Sequence, residues 1–378
     1  MLEREARRQP GVHVSGYRHD ESGAVLRPRD PGAGAAFEVN HSTAQLVSAL
    51  RHPRVLRDIV ASPLRPIDAA TVVRLVLDGV LEIGLDGRFV SGLDAWEHLC
   101  DPPARRAPAH RSTRLTLEAL AYGERLLPMS VTMLAYRLYR YNTIPASPRW
   151  RARFPSSSAV AEALGITDME RHPRFREQGW AAHARAGRTE PWFSWFREPA
   201  RRANSTDVPT YKLYASPEPA AIRDAFQTAA RLIIDSDAFA FKVGGDVFGL
   251  LRPDKLVVYF ASHRALMKTA AALRSALRGT RAQGVPFTAP LDADGLISCG
   301  VDPPLPRNGD LMESESWRLR VAGRLAASMA VASSGSSRAL TPARFALARL
   351  ALDGIDLLSP SGSRAVQKFT ASLGAPRP

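Results

Sequence analysis

The stretch that most constrains the fold begins after Val208, where short runs of strand composition alternate with amphipathic helical runs. "TYKLYAS" reads as a strand, "PAAIRDAFQTAARLIID" as an amphipathic helix with proline in its first turn, and "AFAFKVGG" as a second strand. A third strand, "DKLVVYFAS", precedes a helix, "HRALMKTAAALRSALRG", that closes at Gly279, and "SWRLRVAGRLAASMAVA" is a later helix. This alternation predicts an α+β domain over residues 206–378. The segment "GVPFTAPLDADGLISCGVDPP" is loop-like, with turn residues at Asp294-Gly295 and a double proline. It fits either a lid over a bound peptide or an ordinary connection.

The half before residue 206 has a different texture. Residues 1–35 are rich in Arg, Gly and Pro without periodicity and read as a flexible arm. In "FEVNHSTAQLVSAL" Ser42 or Thr43 can cap a helix, and a second helix follows Asp68 and closes at Gly79. "VLEIGLDGRFVSG" then alternates around Asp86-Gly87, a tight-hairpin signal. Two helices and a hairpin wing suggest a winged-helix unit at 36–93, similar in pattern to the leader-binding domains of ribosomal peptide pathways. Over 94–205 the pattern is helical, in "STRLTLEALAYGERL" and "SVTMLAYRLYRY". The aromatic segment "PWFSWFREP" reads as a packing anchor more readily than as a peptide-binding wall.

Composition removes several function classes. The chain has 378 residues, two domains' worth, and 45% hydrophobic content, ample for buried cores. No run of about 18 apolar residues occurs, and "MLEREARRQPG" lacks the apolar run of a signal peptide, so a cytoplasmic, non-membrane protein is expected. Cys100 and Cys299 are too far apart in sequence to suggest a disulfide framework or a Cys-rich zinc site. Only His263 falls after residue 183, so the second half cannot build a histidine metal cluster. P-loop, GxGxxG, GxSxG and HExxH motifs are absent. The net charge of +14 points to polyanionic or phosphorylated partners. It is no argument for nucleic acid, because no Lys/Arg stripe with interleaved aromatics stands out.

The positive charge is written almost wholly as arginine. Among 51 Lys plus Arg, lysine occurs only at Lys212, Lys242, Lys255, Lys268 and Lys368. Lys212 and Lys242 sit within predicted strands, where a buried ammonium is costly unless paired and where burial lowers its pKa. A lysine so perturbed can serve as a general base; an arginine cannot. The alternative is an edge lysine with its stem on the sheet and its head in water, a reading that fits Lys255, Lys268 and Lys368 better still.

Lys212 in "YKLYAS", Lys242 in "FAFKV", Arg252 in "LLRPDK" and Arg318 in "ESWRLR" follow an order and spacing that resembles the phosphothreonine lyases. These include the lyase domains of class III and IV lanthipeptide synthetases. The likeness is closer to the HopA-like effectors and to the lyases of class V lanthipeptide and thioamitide pathways, and it covers about residues 208–330. The resemblance implies elimination of phosphate from phosphoserine or phosphothreonine in a precursor peptide, giving dehydroalanine or dehydrobutyrine, with no metal or organic cofactor. By similarity Lys242 is the base, Arg252 and Arg318 grip the phosphate bidentately, and Lys212 adds a point charge. A separate kinase and a separate cyclase are the implied partners. The chain departs from the classical pattern at Tyr214, which stands where a histidine serves as general acid. The leaving group's proton is thus open between Tyr214, His263 and a phosphate already protonated. Rival readings are a dehydroamino-acid cyclase, an effector-like adaptor, and a DNA-binding winged helix, the last with only Arg74 to read a groove.

Overall fold

The computed structural model describes residues 11–14, 17–19, 25–29, 37–38, 43–44, 46–47, 50, 54–55, 69–85, 87–100, 110–183, 192–197, 209–302, 316–337 and 340–357. The chain divides into two compact units. Met1–Arg105, Leu120–Tyr139 and Val321–Asp353 make up the first, and Arg106–Ala119, Arg140–Arg320 and Gly354–Pro378 the second. Both combine helices with sheets, so the α+β class expected from the sequence holds.

In the first unit, strands β1 (Gly11–Val14), β5 (Arg54–Val55), β6 (Leu81–Leu85) and β7 (Arg88–Val90) form one sheet in the order β5-β1-β6-β7. A second sheet joins β2 (Tyr17–His19), β3 (Val25–Pro28) and β4 (Phe37–Glu38). The sequence alone places a loose arm at 1–35; the structure instead pairs three strands there. Buried Tyr17 and Leu26 pack with Val76, Leu81 and Ile83, and that burial holds β2 and β3 in place. The hairpin β6–β7 forms as expected, with Gly87 at φ 82° in its turn, while Asp86, Ser42 and Asp68 lie outside the described residues. Helix Ala69–Leu77 ends at Gly79, whose φ of 72° suits glycine.

That helix is tied to the last helix of the unit, Pro342–Leu352, by a buried ion network. Arg349 donates from Nε and Nη2 to the two carboxylate oxygens of Asp78 (2.8 and 2.7 Å) and from Nη1 to Asp353 (2.8 Å). Arg324 bridges the same two acids, lying 3.4 Å from Asp78 and 2.8 Å from Asp353. Arg74 donates to the Leu352 carbonyl oxygen and lies 3.7 Å from Asp353. The one cation available to a DNA-reading helix is thereby engaged by Leu352 and Asp353, with its side chain 40% exposed.

The second unit holds a seven-stranded antiparallel sheet among the described residues. Its strands are β8 (Trp180–Ala182), β9 (Trp192–Arg197), β10 (Thr210–Ala215), β11 (Ala240–Gly244), β12 (Leu256–Phe260), β13 (Ala289–Pro290) and β14 (Ile297–Asp302), in the order β13-β14-β10-β12-β11-β9-β8. The boundary expected at residue 206 thus falls between adjacent elements of one sheet, since β9 pairs with β11 and β8 with β9. Residues 94–205 are therefore not wholly helical: "PWFSWFREP" supplies a strand because its bulky rings alternate between the two sheet faces. At the other end, Val321–Asp353 belongs to the first unit.

One face of the sheet is apolar and covered by helices Ile222–Ile234 and His263–Ala276. Leu213, Phe241, Val243, Val258, Phe260 and Trp195 are all buried there. Trp195 stacks on Phe241 (4.7 Å between centroids) and meets Phe226 of the first helix (6.2 Å). Each fully buried aromatic contributes about 2–3 kcal/mol by area. The segment read as a lid or a connection begins as a wall: residues 284–290 are buried throughout, while Ala293 and Asp294 at its turn are exposed. Its polar groups are spent inside the fold. The Gly284 N–H donates to Ser216 Oγ (3.1 Å), and the Phe287 N–H donates to Thr116 Oγ1 (2.9 Å). Among the described residues no helix is long and apolar enough to cross a membrane.

Candidate active site on the open face of the sheet

Alternation along the strands sends every second side chain to the face away from the two helices. The registers define two rows on that face. One runs Ser298, Tyr214, Val257, Lys242, Ser194 across β14, β10, β12, β11 and β9; the next runs Gly300, Lys212, Tyr259, Ala240, Phe196. Lys212 and Lys242 therefore share one face, two strand spacings apart across the sheet and two residues apart along it, about 12 Å at the backbone. Tyr259 stands between them, its ring 5.3 Å from Lys212 Nζ and 5.9 Å from Lys242 Nζ.

Trp192, two residues before Ser194, reaches the same face. Lys242 Nζ lies 4.4 Å above its ring and the Arg252 guanidinium 5.3 Å. The aromatic segment thus divides by strand parity, Trp195 to the core and Trp192 to the lysine. Burial pulls the Lys242 pKa down to about 8, aided by the nearby charges of Lys212 and Arg252 and opposed by Asp254 and Asp302. An appreciable fraction of this amine is neutral near pH 8.

Lys212 is buried and ion-paired with Asp302. Asp302 also accepts from the backbone N–H of Trp317 (2.7 Å), fixing the first turn of helix Trp317–Ser334 and with it Arg318. Gly300 makes the approach feasible, because a Cβ there would lie 2.5 Å from Trp317 Cδ1. Arg318, 1% exposed, donates from Nε to the Pro286 carbonyl oxygen (3.2 Å) and places Nη1 2.8 Å from Asp254 Oδ2. Arg252 donates to the same carboxylate through Nε (2.8 Å) and Nη2 (2.9 Å). Burial by itself would push the Asp254 carboxyl up, but the Arg318 charge and the Arg252 hydrogen bonds outweigh it and hold it well below the usual carboxylate range. One acid therefore orients both arginines.

Tyr214 lies in the floor beside Val257 and Val285, almost wholly buried. Burial, then the Asp302 charge, raises its phenol pKa well above the ordinary value, so it holds its proton firmly. Next to it the buried Ser298 hydroxyl has no hydrogen-bond partner among the described residues. His263 is not brought to this face. Its ring packs edge-on against Tyr211 (5.8 Å), whose side chain points to the helix-covered side, so the imidazole is removed as a proton source here.

Five of the six expected residues, Lys212, Tyr214, Lys242, Arg252 and Arg318, thus occupy one region, and Asp254, Asp302, Trp192 and Tyr259 complete it. Asp254 had a signal in "RPDK", a carboxylate two residues after an arginine; Trp192 had none before the strand was placed. Lys255 departs from its reading as a water-facing lysine. It is fully buried, donating to the Pro217 carbonyl oxygen (2.7 Å) and to Gln283 Oε1, and burial draws its pKa down to about 7. Gln283 in turn donates to the Asn142 (2.6 Å) and Leu251 (3.1 Å) carbonyls, so Lys255 anchors a polar strut within the fold. Lys268 is exposed as expected, and Lys368 lies outside the described residues. No group of three or more His, Cys, Asp or Glu side chains among the described residues is placed to hold a metal ion.

No protein-family model and no curated protein matches the chain. Among solved structures it is similar to the effector protein from Pseudomonas syringae pv. tomato strain DC3000, at 12% identity and a TM-score of 0.39, covering 66% of this chain and 98% of that one. It is also similar to the Chromobacterium violaceum VirA (SpvC) phosphothreonine lyase effector, at 18% identity and a TM-score of 0.28, covering 39% and 75%. A third is the type III effector/phosphothreonine lyase OspF from Shigella flexneri, at 12% identity and a TM-score of 0.28, covering 37% and 90%. With TM-scores this low, the chemistry of the site stands on its own residues.

Proposed function

We propose that this chain is a phosphopeptide lyase that eliminates phosphate from phosphothreonine or phosphoserine. The observation that carries the reading is a largely buried lysine of depressed pKa, Lys242, sharing a region with Lys212, Arg252 and Arg318. Elimination needs such a set: a neutral amine to take a proton held by carbon, and fixed positive charge where phosphate departs. In the proposed step neutral Lys242 removes the Cα proton, the Cα–H electron pair forms the Cα=Cβ bond, and the Cβ–O bond breaks with its electrons leaving on phosphate. Arg252 and Arg318, oriented by Asp254, bind the phosphate, and Lys212 adds a charge steadied by Asp302. Tyr214, reluctant to ionise, acts as a hydrogen-bond donor in the floor rather than as a base.

The finer reading follows from the sequence resemblance: the substrate is a ribosomally made precursor peptide, phosphorylated by a separate kinase, and the dehydroalanine or dehydrobutyrine formed passes to a separate cyclase. The test is mass spectrometry of synthetic phosphothreonine and phosphoserine peptides after incubation with the protein. Loss of the elements of phosphoric acid, leaving an unsaturated residue that adds a thiol, supports the reading. An intact hydroxyl after phosphate loss, or no reaction with either peptide, refutes it.

A further inference from the structure

Helix Val247–Leu250 joins the two halves of the proposed chemistry, starting three residues after Gly244 at the end of β11 and finishing two before Arg252. Asp246 caps it, accepting from the Gly249 N–H (2.6 Å). Its Phe248 is 47% exposed. The Arg151 guanidinium lies 5.2 Å from the Phe248 ring centroid and is held there by donating from Nε to the Ala146 carbonyl oxygen (3.1 Å). Arg151 belongs to helix Pro148–Arg153, "PRWRAR", whose Arg149 and Arg153 are also exposed. Arg153 is steadied in its turn over the stacked rings of Trp150 (5.7 Å) and Phe154 (5.4 Å). None of the three arginines forms an ion pair with a carboxylate among the described residues. Arginines preset on aromatic rings lose less side-chain entropy on binding than free ones, and each keeps its charge for a partner.

We infer that Arg151 and Phe248 on one flank of helix Pro148–Arg153, with Arg149 and Arg153 on its other flank, form a docking surface for an acidic segment of the substrate peptide flanking its phosphorylated residue. The inference rests on the phosphopeptide reading for its occupant. Phe248 precedes Arg252 by four residues, so a chain whose phosphate lies at Arg252 is able to reach Phe248 within about five residues at ~3.3 Å each. A carboxylate-bearing segment meets unpaired positive charge there, and an apolar side chain beside it covers the exposed ring.

The experiment compares elimination from three phosphothreonine peptides of equal length whose flanks are acidic, neutral or basic. The enzyme is the full chain, as wild type and with Arg149→Gln, Arg151→Gln and Arg153→Gln combined. Wild type is expected to favour the acidic over the neutral peptide by about tenfold in kcat/KM, carried by KM and erased by salt. In the triple variant the acidic-to-neutral ratio falls to about one. A wild type without the preference, or a variant that keeps it, overturns the inference. Where the triple variant fails to fold, Phe248→Ser is used, and it must weaken binding of the acidic peptide. Anisotropy of a labelled, unphosphorylated acidic peptide reads the surface independently of catalysis. Binding through these arginines with no elimination from any peptide sinks the lyase reading and keeps the docking surface. A uridine oligonucleotide bound as tightly as the peptide, and lost in the same variant, makes the surface a nucleic-acid site and overturns the peptide assignment.

Discussion

Lys242 is the residue on which the proposed chemistry turns, and replacement by arginine separates charge from basicity there. Lys242→Arg keeps a cation over Trp192 but cannot accept the Cα proton, so kcat should fall by about 10²–10⁴-fold with folding preserved. Lys212→Arg, which keeps the pairing charge opposite Asp302, should lose far less, mainly through KM. Because only the neutral amine is active and its pKa is about 8, the wild-type rate should climb as pH rises through that value. A rate that is flat from pH 6 to 10, or a fully active Lys242→Arg enzyme, excludes this base. Asp254 offers a second test. Asp254→Asn removes the charge that orients both guanidinium groups, and KM for the phosphopeptide should rise by about 10–100-fold, as expected for lost charge-assisted hydrogen bonds. It also removes a negative charge that favours the Lys242 ammonium, so the acid limb of the pH profile should move to lower pH, with Lys212, Arg252 and Asp302 still in place. A loosened fold alone would not move that limb downward. Much of this is legible in the sequence: the scarcity of lysine marks positions 212 and 242, and the family-like spacing adds Tyr214, Arg252 and Arg318. Asp254 and Trp192 are not, because what they do depends on which distant strand lies beside them. Lys255 misled because its neutral partners, Pro217 and Gln283, come from distant loops.

At the scale of single elements, the junction from β11 to helix Val247–Leu250 sets the spacing between the proposed base and the phosphate ligand. Gly244 is packed so closely that a Cβ would lie 2.3 Å from the Gly249 carbonyl carbon and 2.6 Å from Leu250 N. Those are backbone atoms, so the helix itself must move. Gly244→Ala should cost about 1–3 kcal/mol of stability, as overpacking does, and should displace Arg252 from Asp254. Thermal denaturation measures the first effect. Phosphopeptide KM measures the second, and an unchanged KM would show that this junction does not govern the site. Sequence patterning located β10, β11, β12 and helices Ile222–Ile234 and His263–Ala276 because each is periodic over its own length, and missed the short helix Val247–Leu250. It missed β9 as a strand because an aromatic cluster reads equally as a packing anchor until its partner, β11, is known.

At the scale of the molecule, a fragment beginning at residue 206 omits β8, β9 and Trp192, and leaves β11 as an unpaired edge. Such a fragment should be insoluble or unfolded, and a well-dispersed amide spectrum from it would contradict the sheet described above. In the first unit, Asp78→Ala leaves Arg349, which is 2% exposed, and Arg324 to share the single carboxylate of Asp353, and should cost about 3–5 kcal/mol, as removing one side of a buried ion pair does. Chemical denaturation monitored at Trp96, which packs on Phe345 in the same unit, would show it. That ion network also fixes an order of events during synthesis. Asp78 leaves the ribosome long before Arg324, Arg349 and Asp353, with the whole seven-stranded sheet emerging in between. The early piece must therefore wait, its carboxylate hydrated, until Asp353 has been translated. A transcript cut short after Arg320 would leave a nascent first-unit sheet without helix Pro342–Leu352 to lean on, a ready substrate for chaperones and proteases.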